Sequence, residues 1–195
     1  SDKDAIAIAS GGVVTFSQNT VGAGGMDLLL SDTISSAVAD YDITSTYINS
    51  SYDSYYLVMT LIPVNDNVSL QMQVFVGGTL DQGANYGSEI GTFDGGAVQT
   101  SDSQDHMDLV RYNVGSAAGE GFSLVGTFTN INATNLPFSF QGTSHSAGTA
   151  AAPVSAIIFA GHKPDQAGGV VNGIRIDFSG GNIESGSVQL YGLRK

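Results

Sequence analysis

The sequence predicts an all-β protein, namely an antiparallel, jelly-roll-like β-sandwich with a short N-terminal strand extension. The first observation behind this prediction is the 26 glycines, which suit a chain with many turns. The second is the abundance of short runs in which β-branched and aromatic residues alternate with polar ones. The third is that no long segment has the apolar period of an amphipathic helix. Roughly eight to ten strands joined by irregular crossovers are typical of such a sandwich.

The N-terminal residues predict an extension that is separate from the sandwich. Two short alternating runs around Ile8 and Val14 flank a glycine pair, which predicts a small hairpin. A glycine-rich stretch follows and predicts a hinge. We therefore predict attachment strands and a hinge in residues 1–25 and the sandwich domain in residues 26–195.

The clearest strand patterns lie in the first half of the sandwich. Residues 55–62 are apolar on both faces, which predicts a central strand, whereas residues 70–76 alternate apolar and polar side chains, which predicts one wet face. Residues 77–105 are long and polar, and they predict an irregular loop with a functional role. Further strands are predicted near residues 26–30, 107–114, 121–129, 136–143, 153–161, 170–179 and 186–193.

Charge and composition exclude several classes of partner and site. The chain has 18 acidic and 6 basic residues, a net charge of −12, whereas binding to nucleic acid or to an anionic membrane surface requires a basic patch. No run reaches the roughly 18 apolar residues of a membrane-spanning helix, so we predict no membrane insertion. The chain has no cysteine, which excludes disulfides, thiolate nucleophiles and cysteine-ligated metals.

The residue types that carry catalysis or bind metals occur without a recognised spacing. The 3 histidines lie in separate segments and form no HExxH pattern, and the sequence has no GxSxG nucleophile motif. Asp102, Asp105 and Asp108 supply oxygen ligands that suit Ca²⁺, but their spacing differs from that of the known calcium loop. We therefore predict a protein that is not an enzyme and has no cofactor, with these three aspartates as weak calcium candidates.

Tyrosines and one late loop supply the candidate binding residues. Tyr52 and Tyr86 are flanked by Ser, Asp, Asn and Gly, so we expect both rings on the surface, where they could stack on a sugar or anchor a protein contact. The stretch "GHKPDQAGG" forms a second candidate loop. The candidate receptor-binding residues are Tyr52, Asn85, Tyr86, His162, Lys163 and Asp165.

Two segments carry a resemblance to a known family. They are "SSYDSYYLVMTLIPVNDNVSLQMQVFVGG", residues 50–78, and "GIRIDFSGGNIESGSVQLYGLRK", residues 173–195. Together they resemble the C-terminal β-sandwich domains of tailed-bacteriophage tail-fibre, head-fibre and related virion proteins, in which a Tyr-Asp-x-Tyr strand and a closing strand that ends in LYG recur. The likeness covers most of residues 47–195, and "ASGGVVTFS" near the start resembles the strand repeats that lead out of a fibre shaft.

The resemblance implies a virion component on the tail fibre or the capsid surface. It implies a non-catalytic fibre-tip module that binds a host-surface receptor, a glycan or a protein, through the loops near Tyr52, Tyr86 and His162. It also implies a homotrimer that contacts other virion proteins through its N-terminal strands, and a closing hairpin turned at Ser185 and Gly186. Two alternatives stay open, a structural capsid decoration or head-fibre protein of the same fold and a polysaccharide depolymerase.

Overall fold

The protein folds as an all-β sandwich, as its sequence predicts. The computed structural model describes residues 7–8, 14–15, 25–92, 98–134, 136–148, 151–162 and 169–193. Two antiparallel sheets pack together, and the described residues form no helix. Consequently, no helix in this part of the chain has the length and apolar character needed to cross a membrane.

The strands are β1 (Ala7–Ile8), β2 (Val14–Thr15), β3 (Met26–Ile34), β4 (Asp40–Ile43), β5 (Ser54–Pro63), β6 (Leu70–Val76), β7 (Thr79–Leu80), β8 (Tyr86–Thr92), β9 (Gln99–Gln104), β10 (Met107–Asp108), β11 (Gly121–Thr129), β12 (Phe138–Gly148), β13 (Ala151–His162), β14 (Val171–Phe178) and β15 (Ile183–Leu193).

The two sheets of the sandwich differ in size. The larger has eight strands in the order β3-β15-β5-β11-β12-β13-β8-β9, and the smaller has five, in the order β10-β6-β14-β4 with β7 beside β6. The chain passes repeatedly from one sheet to the other, because β3 and β5 lie in the larger and β4 and β6 in the smaller, as in a jelly roll. The short strands β1 and β2 pair antiparallel with each other, and the predicted glycine turn between them lies outside the described residues.

The hydrophobic core lies between the two sheets. Strand β5 is central in the larger sheet, between β15 and β11, and buries every second residue from Tyr55 to Pro63. Strand β6 of the smaller sheet buries Leu70, Met72 and Val74 and keeps its glutamines on the outer side. The period-2 alternation of these strands therefore places one face of each sheet in the core, as the sequence predicts.

The predicted loop at residues 77–105 is wrong, because this segment contains β7, β8 and β9. Strand β8 buries Tyr86, Ser88 and Ile90 on one face. Its buried positions include a serine, and Gly87 and Glu89 separate them, so the run looks polar. Strand β9 lies at the sheet edge, where one side of the strand faces water and needs few apolar residues. The strand predicted near 107–114 is also shorter than expected, since only β10 forms there.

The predicted closing hairpin is wrong as well. Strands β14 and β15 belong to different sheets, so the chain crosses the sandwich between them at residues 179–182. Ser185 and Gly186 lie inside β15, directly after a register shift against β5. A side chain at Gly186 would collide with the carbonyl of Thr60, which explains the glycine at this close approach of two strands. Strand β15 still completes the larger sheet, between β3 and β5.

In chain order, the first described strand of the larger sheet is β3, which begins at Met26. Strand β3 is an edge strand and pairs only with β15 within the described part of the sheet. The division at residue 25 into an extension and a sandwich stays a prediction, because residues 16–24 lie outside the described part of the chain.

Candidate functional site

A cavity of about 800 Å³ opens at one end of the larger sheet, and we call it the end cavity. Strands β8 and β12 begin there, and β13 and β9 end there. The residues of this cavity that carry polar side chains are Asn85, Tyr86, Asp102, Ser103, Ser139 and His162. Three of the six candidate residues, Asn85, Tyr86 and His162, are therefore brought together. Antiparallel pairing explains this, because His162 at the end of β13 lies opposite Tyr86 at the start of β8.

The base of the end cavity contains a buried histidine, His162, which pairs with the partly exposed carboxylate of Asp81. His162 is only 1% exposed, and its Nε2 lies 2.7 Å from Oδ2 of Asp81. Because the Asp81 carboxylate can only accept, Nε2 carries the hydrogen and donates a hydrogen bond to Oδ2. His162 Nδ1 is also buried and has no hydrogen-bond partner among the described residues. The interaction fixes the imidazole ring against the loop between β7 and β8.

Asp81 organises that loop. Its Oδ1 accepts a hydrogen bond from the backbone N–H of Gly83 at 2.8 Å, and its Oδ2 accepts one from the amide of Asn85 at 3.2 Å. Burial by itself would raise the pKa of Asp81, but the hydrogen bonds from Gly83, His162 and Asn85 together lower it below its usual value. Asp81 is therefore held as a carboxylate whose oxygens are occupied by protein donors.

Tyr86 lies beneath the cavity and not on the surface, so its predicted exposure is wrong. The ring is 2% exposed, and its centroid lies 4.7 Å from that of His162. Its hydroxyl donates to the carbonyl of Asp81 at 2.7 Å and accepts the backbone N–H of Val74 at 3.1 Å. Burial raises the pKa of the phenol, which keeps it protonated. Tyr86 thus links the loop to β6 of the smaller sheet and stiffens the cavity base.

The outer wall of the end cavity is shaped by a β-bulge that sequence reasoning missed. Tyr86 pairs with Gln104 and Gly87 pairs with Asp102, so Ser103 is an extra residue in β9. Ser103 has φ of 56°, in the left-handed region that few non-glycine residues adopt. Bulges of this kind re-aim neighbouring side chains and are common beside functional sites. The bulge leaves Asp102 and Ser103 exposed at the cavity mouth.

Tyr52 lies in a different cavity at the same end of the larger sheet. This second cavity, of about 480 Å³, is lined by Tyr52, Asp53, Asn130 and Asn132 among others. Tyr52 is half-buried, since its ring stands edge-on to Tyr55 and its hydroxyl donates to Asp27 Oδ2 at 2.9 Å. Tyr52 is therefore partly exposed, with part of its ring covered by these contacts. One edge of the ring nevertheless borders a concave surface.

The two cavities are neighbours. Thr129 of β11 and Ser139 of β12 are paired residues, and their hydroxyls lie 2.7 Å apart between the two openings. The end of the sheet therefore presents two adjacent concave surfaces rich in hydroxyl and amide groups. The remaining candidates, Lys163 and Asp165, follow directly after His162 in sequence but lie outside the described residues.

The three weak calcium candidates do not converge. Asp105 Oδ1 lies 2.6 Å from Nδ1 of His106, and Asp108 Oδ1 lies 3.4 Å from Nε2 of the same ring. Asp102 instead lines the end cavity. Within the described ranges, no group of three or more histidine or carboxylate side chains could hold a metal ion. The expectation of a shared calcium site at these aspartates therefore lacks a structural basis.

Comparison with known proteins found no matching family model, no matching curated protein and no matching solved structure. The resemblance to virion fibre domains thus stays a prediction from the two sequence segments.

Proposed function

We propose that this protein is a non-catalytic receptor-binding module of a virion fibre tip, and that it binds a sugar unit of a host-surface glycan in the end cavity. The observation that carries the proposal is the end cavity itself, in which Asn85, Tyr86 and His162 meet a bulged edge strand at one end of the sandwich. Its volume of about 800 Å³ falls within the range of small-molecule sites.

The chemistry of the cavity wall favours a neutral, hydroxyl-rich ligand. Asp102, Ser103 and Ser139 present oxygen atoms, and Asn85 adds an amide, so the wall offers both acceptors and donors to sugar hydroxyls. No Lys or Arg is among the described residues of the wall. An anionic ligand would therefore face the Asp102 carboxylate without a compensating cation, and like charges at short range oppose binding.

The buried base of the cavity supports a preformed site. Four contacts hold this base in one arrangement. They are the ring contact between Tyr86 and His162, the hydrogen bond from His162 to Asp81 and the two hydrogen bonds of the Tyr86 hydroxyl. A site that is already ordered loses less conformational entropy when the ligand binds. A small loss of entropy is important for binding a glycan, because a glycan offers little apolar surface to bury.

The same contacts favour binding over catalysis. A general acid or base must reach the proton that it transfers. His162 Nδ1 is buried, and the oxygens of Asp81 already accept hydrogen bonds from Gly83, His162 and Asn85. Neither group is presented to a substrate in this arrangement, which supports a non-catalytic module.

The binding test compares variants on a glycan array and by calorimetry against purified surface polysaccharide. Asp102→Ala removes a carboxylate from the cavity mouth and should weaken glycan binding about tenfold or more. Glu184→Ala is the matched control, since it removes an exposed carboxylate from β15, near the opposite end of the sheet. Equal binding by both variants and the unaltered chain would reject the end cavity as the site. Release of reducing sugar by the unaltered chain would reject the non-catalytic assignment and favour the depolymerase alternative.

The place of the chain in a particle is a separate part of the proposal. It rests on the resemblance, which implies a homotrimer attached to other virion proteins through the N-terminal strands. Gold-labelled antibodies against this chain, viewed on intact particles by electron microscopy, should mark the tail fibres. Labelling of the head would favour the capsid decoration alternative, and absence from all particles would reject a virion role.

A further inference from the structure

A shallow depression adjoins the end cavity on the outer surface of the larger sheet, the surface that faces away from the core. We call it the Phe159 depression. It measures about 240 Å³, and its lining includes Gly87, Glu89, Asp102, Phe159 and Gly161. Three of these residues, Gly87, Asp102 and Gly161, also line the end cavity. The depression and the end cavity are therefore continuous.

Two glycines form the floor of the Phe159 depression. Gly87 of β8 and Gly161 of β13 lie directly opposite each other, and residues paired in this way lie on the same side of a sheet. Neither residue has a side chain, so the surface is lower here than at the neighbouring outward positions. Asp102 of β9 pairs with Gly87, and a side chain at Gly87 would begin only 3.3 Å from Asp102 Oδ1. The Asp102 carboxylate thus lies beside the floor and borders both concave surfaces.

Phe159 and Glu89 form the far wall of the depression. They too lie directly opposite each other, two residues along β13 and β8 from the floor glycines. Two residues of a strand span about 7 Å, a distance similar to the length of a sugar ring. Phe159 is 54% exposed, although its neighbours in sequence, Ile158 and Ala160, are buried. Glu89 is exposed as well. The wall therefore combines an accessible aromatic ring with an accessible carboxylate.

The position of Phe159 distinguishes it from other exposed apolar residues. Single apolar side chains are normal on a protein surface and need no explanation by themselves. Leu28 and Val98, for example, are exposed to a similar degree but line neither the depression nor the end cavity. Phe159 instead borders a concave surface that carries carboxylate oxygens and joins a larger cavity. Apolar surface beside a few placed polar groups is the usual composition of a small-molecule site.

The chemistry of the depression matches a neutral sugar ring. A sugar ring carries C–H groups on its faces and hydroxyl groups around its edge. The negative face of an aromatic ring attracts the positively polarised C–H groups, and ionised carboxylates accept strong hydrogen bonds from hydroxyl groups. Phe159 supplies the aromatic ring, and Glu89 and Asp102 supply the acceptors. No Lys or Arg is among the described residues of the lining, so an anionic sugar would meet uncompensated negative charge.

We propose that Phe159 and Glu89 form a second sugar subsite, and that the ligand is a neutral glycan with at least two linked sugar units. One unit occupies the end cavity, the next lies against Phe159, and Asp102 borders both. This inference rests on the proposed glycan-binding function of the end cavity and adds the length and the path of the ligand. The path runs from the end of β13 back along the outer surface of the larger sheet.

Calorimetry on the full chain tests the subsite, with a neutral oligosaccharide selected on the glycan array and with the single sugars that compose it. Phe159→Ala should weaken binding of the oligosaccharide about tenfold. It should leave binding of the single sugar unchanged, because that ligand occupies the end cavity, away from the ring. Phe159→Tyr keeps the ring and should bind like the unaltered chain. Phe159→Leu keeps an apolar side chain without an aromatic face and should bind as weakly as Phe159→Ala.

Val125→Ala is the matched control. It removes exposed apolar surface from β11, on the same side of the sheet but outside both concave surfaces, and should leave binding unchanged. Far-UV circular dichroism and the melting temperature confirm that the variants fold. A direct reporter is also available, because the chain has no tryptophan. The fluorescence of Phe159→Trp should shift to shorter wavelength when the oligosaccharide replaces water on the ring.

The outcomes separate the subsite from the proposed function. If Asp102→Ala weakens oligosaccharide binding and Phe159→Ala does not, the proposed function stands and the subsite is overturned. The subsite is also overturned if the single sugar binds as tightly as the oligosaccharide, or if the emission of Phe159→Trp stays unchanged at saturation. Equal weakening by Val125→Ala and Phe159→Ala would indicate a general loss of apolar surface and not a subsite. A chain that binds no neutral glycan on the array overturns both proposals.

Discussion

Asp177 gives the sharpest test of the electrostatics of this fold. It lies on β14 of the smaller sheet, between Gln71 of β6 and Asp40 of β4. Its Oδ1 is buried and has no hydrogen-bond partner among the described residues. The guanidinium of Arg175, two residues away, is already bound to Asp42 by two hydrogen bonds of 2.7 Å. Asp177 is thus a partly buried carboxylate in an acidic neighbourhood.

These surroundings raise the pKa of Asp177 from 3.8 to about 6. Burial is the largest cause, since it disfavours the charged form, while the positive charges of His106 and Arg175 counteract it and Asp40 adds to it. The difference between a pKa of 3.8 and one of about 6 corresponds to about 3 kcal/mol. Because the residue is partly exposed, solvent screening reduces this, and we expect about 1–2 kcal/mol.

The sign follows from proton linkage. The folded protein binds the Asp177 proton more tightly than the unfolded chain does, so the stabilisation is complete below about pH 4 and is lost as the pH rises through about 6. Asp177→Asn cannot ionise and should escape this loss. We therefore expect the variant to be about 1–2 kcal/mol more stable than the unaltered chain at pH 7 and nearly equal to it at pH 4.

Urea unfolding at several pH values between about 4 and 7.5, at one low protein concentration, measures this difference. Glu184→Gln is the control, because it removes one exposed carboxylate from another part of the surface. If the free energy of unfolding of Asp177→Asn falls with pH as steeply as that of the unaltered chain, Asp177 is not the titrating group. If Glu184→Gln gives the same stabilisation, the effect comes from net charge alone.

Three further predictions concern the site, the core and metals. Asp81→Asn removes the charge that accepts hydrogen bonds from His162 and Gly83, so it should lower the free energy of unfolding at pH 7 by about 1–3 kcal/mol, measured by urea titration. An unchanged free energy of unfolding would contradict a structural role for the pair of Asp81 and His162. Gly126→Ala should cost about 1–3 kcal/mol, because the added methyl group collides with the Phe140 ring, whereas Gly91→Ala, with open space around it, should cost less than about 1 kcal/mol. EDTA should leave the melting temperature unchanged, because no group of histidine and carboxylate side chains in the described ranges could hold a metal ion; a drop of several degrees would restore a metal site.

Strands with regular alternation could be predicted from the sequence, and those with small or polar buried residues could not. Strands β5 and β6 bury large apolar residues at every second position, so their period is visible in the sequence. Strand β8 buries Ser88 between Tyr86 and Ile90, which conceals the same period. The order of strands within the sheets depends on long-range pairing, which single-sequence patterns do not record. For this reason β14 and β15 looked like a hairpin although they lie in different sheets.

The candidate site could be predicted in part. Asn85, Tyr86 and His162 were identified from their residue types and turn-rich surroundings, and they do meet in the end cavity. The burial of Tyr86 was missed because its polar neighbours suggested an exposed ring. Asp81 was missed because its partner His162 is 81 residues away in sequence. The Ser103 bulge was missed because the extra residue appears only when β9 is paired with β8.

The causes of the raised pKa of Asp177 also predict its response to salt. Burial is the largest cause, and among the neighbouring charges those of His106 and Arg175, which lower the pKa, outweigh those of Asp40 and Asp105, which raise it. Salt screens the four charge interactions but does not change burial, so added salt should not lower the pKa of Asp177. A pKa that falls as salt is raised, measured by NMR titration, would show that the neighbouring aspartates and not burial are its main cause.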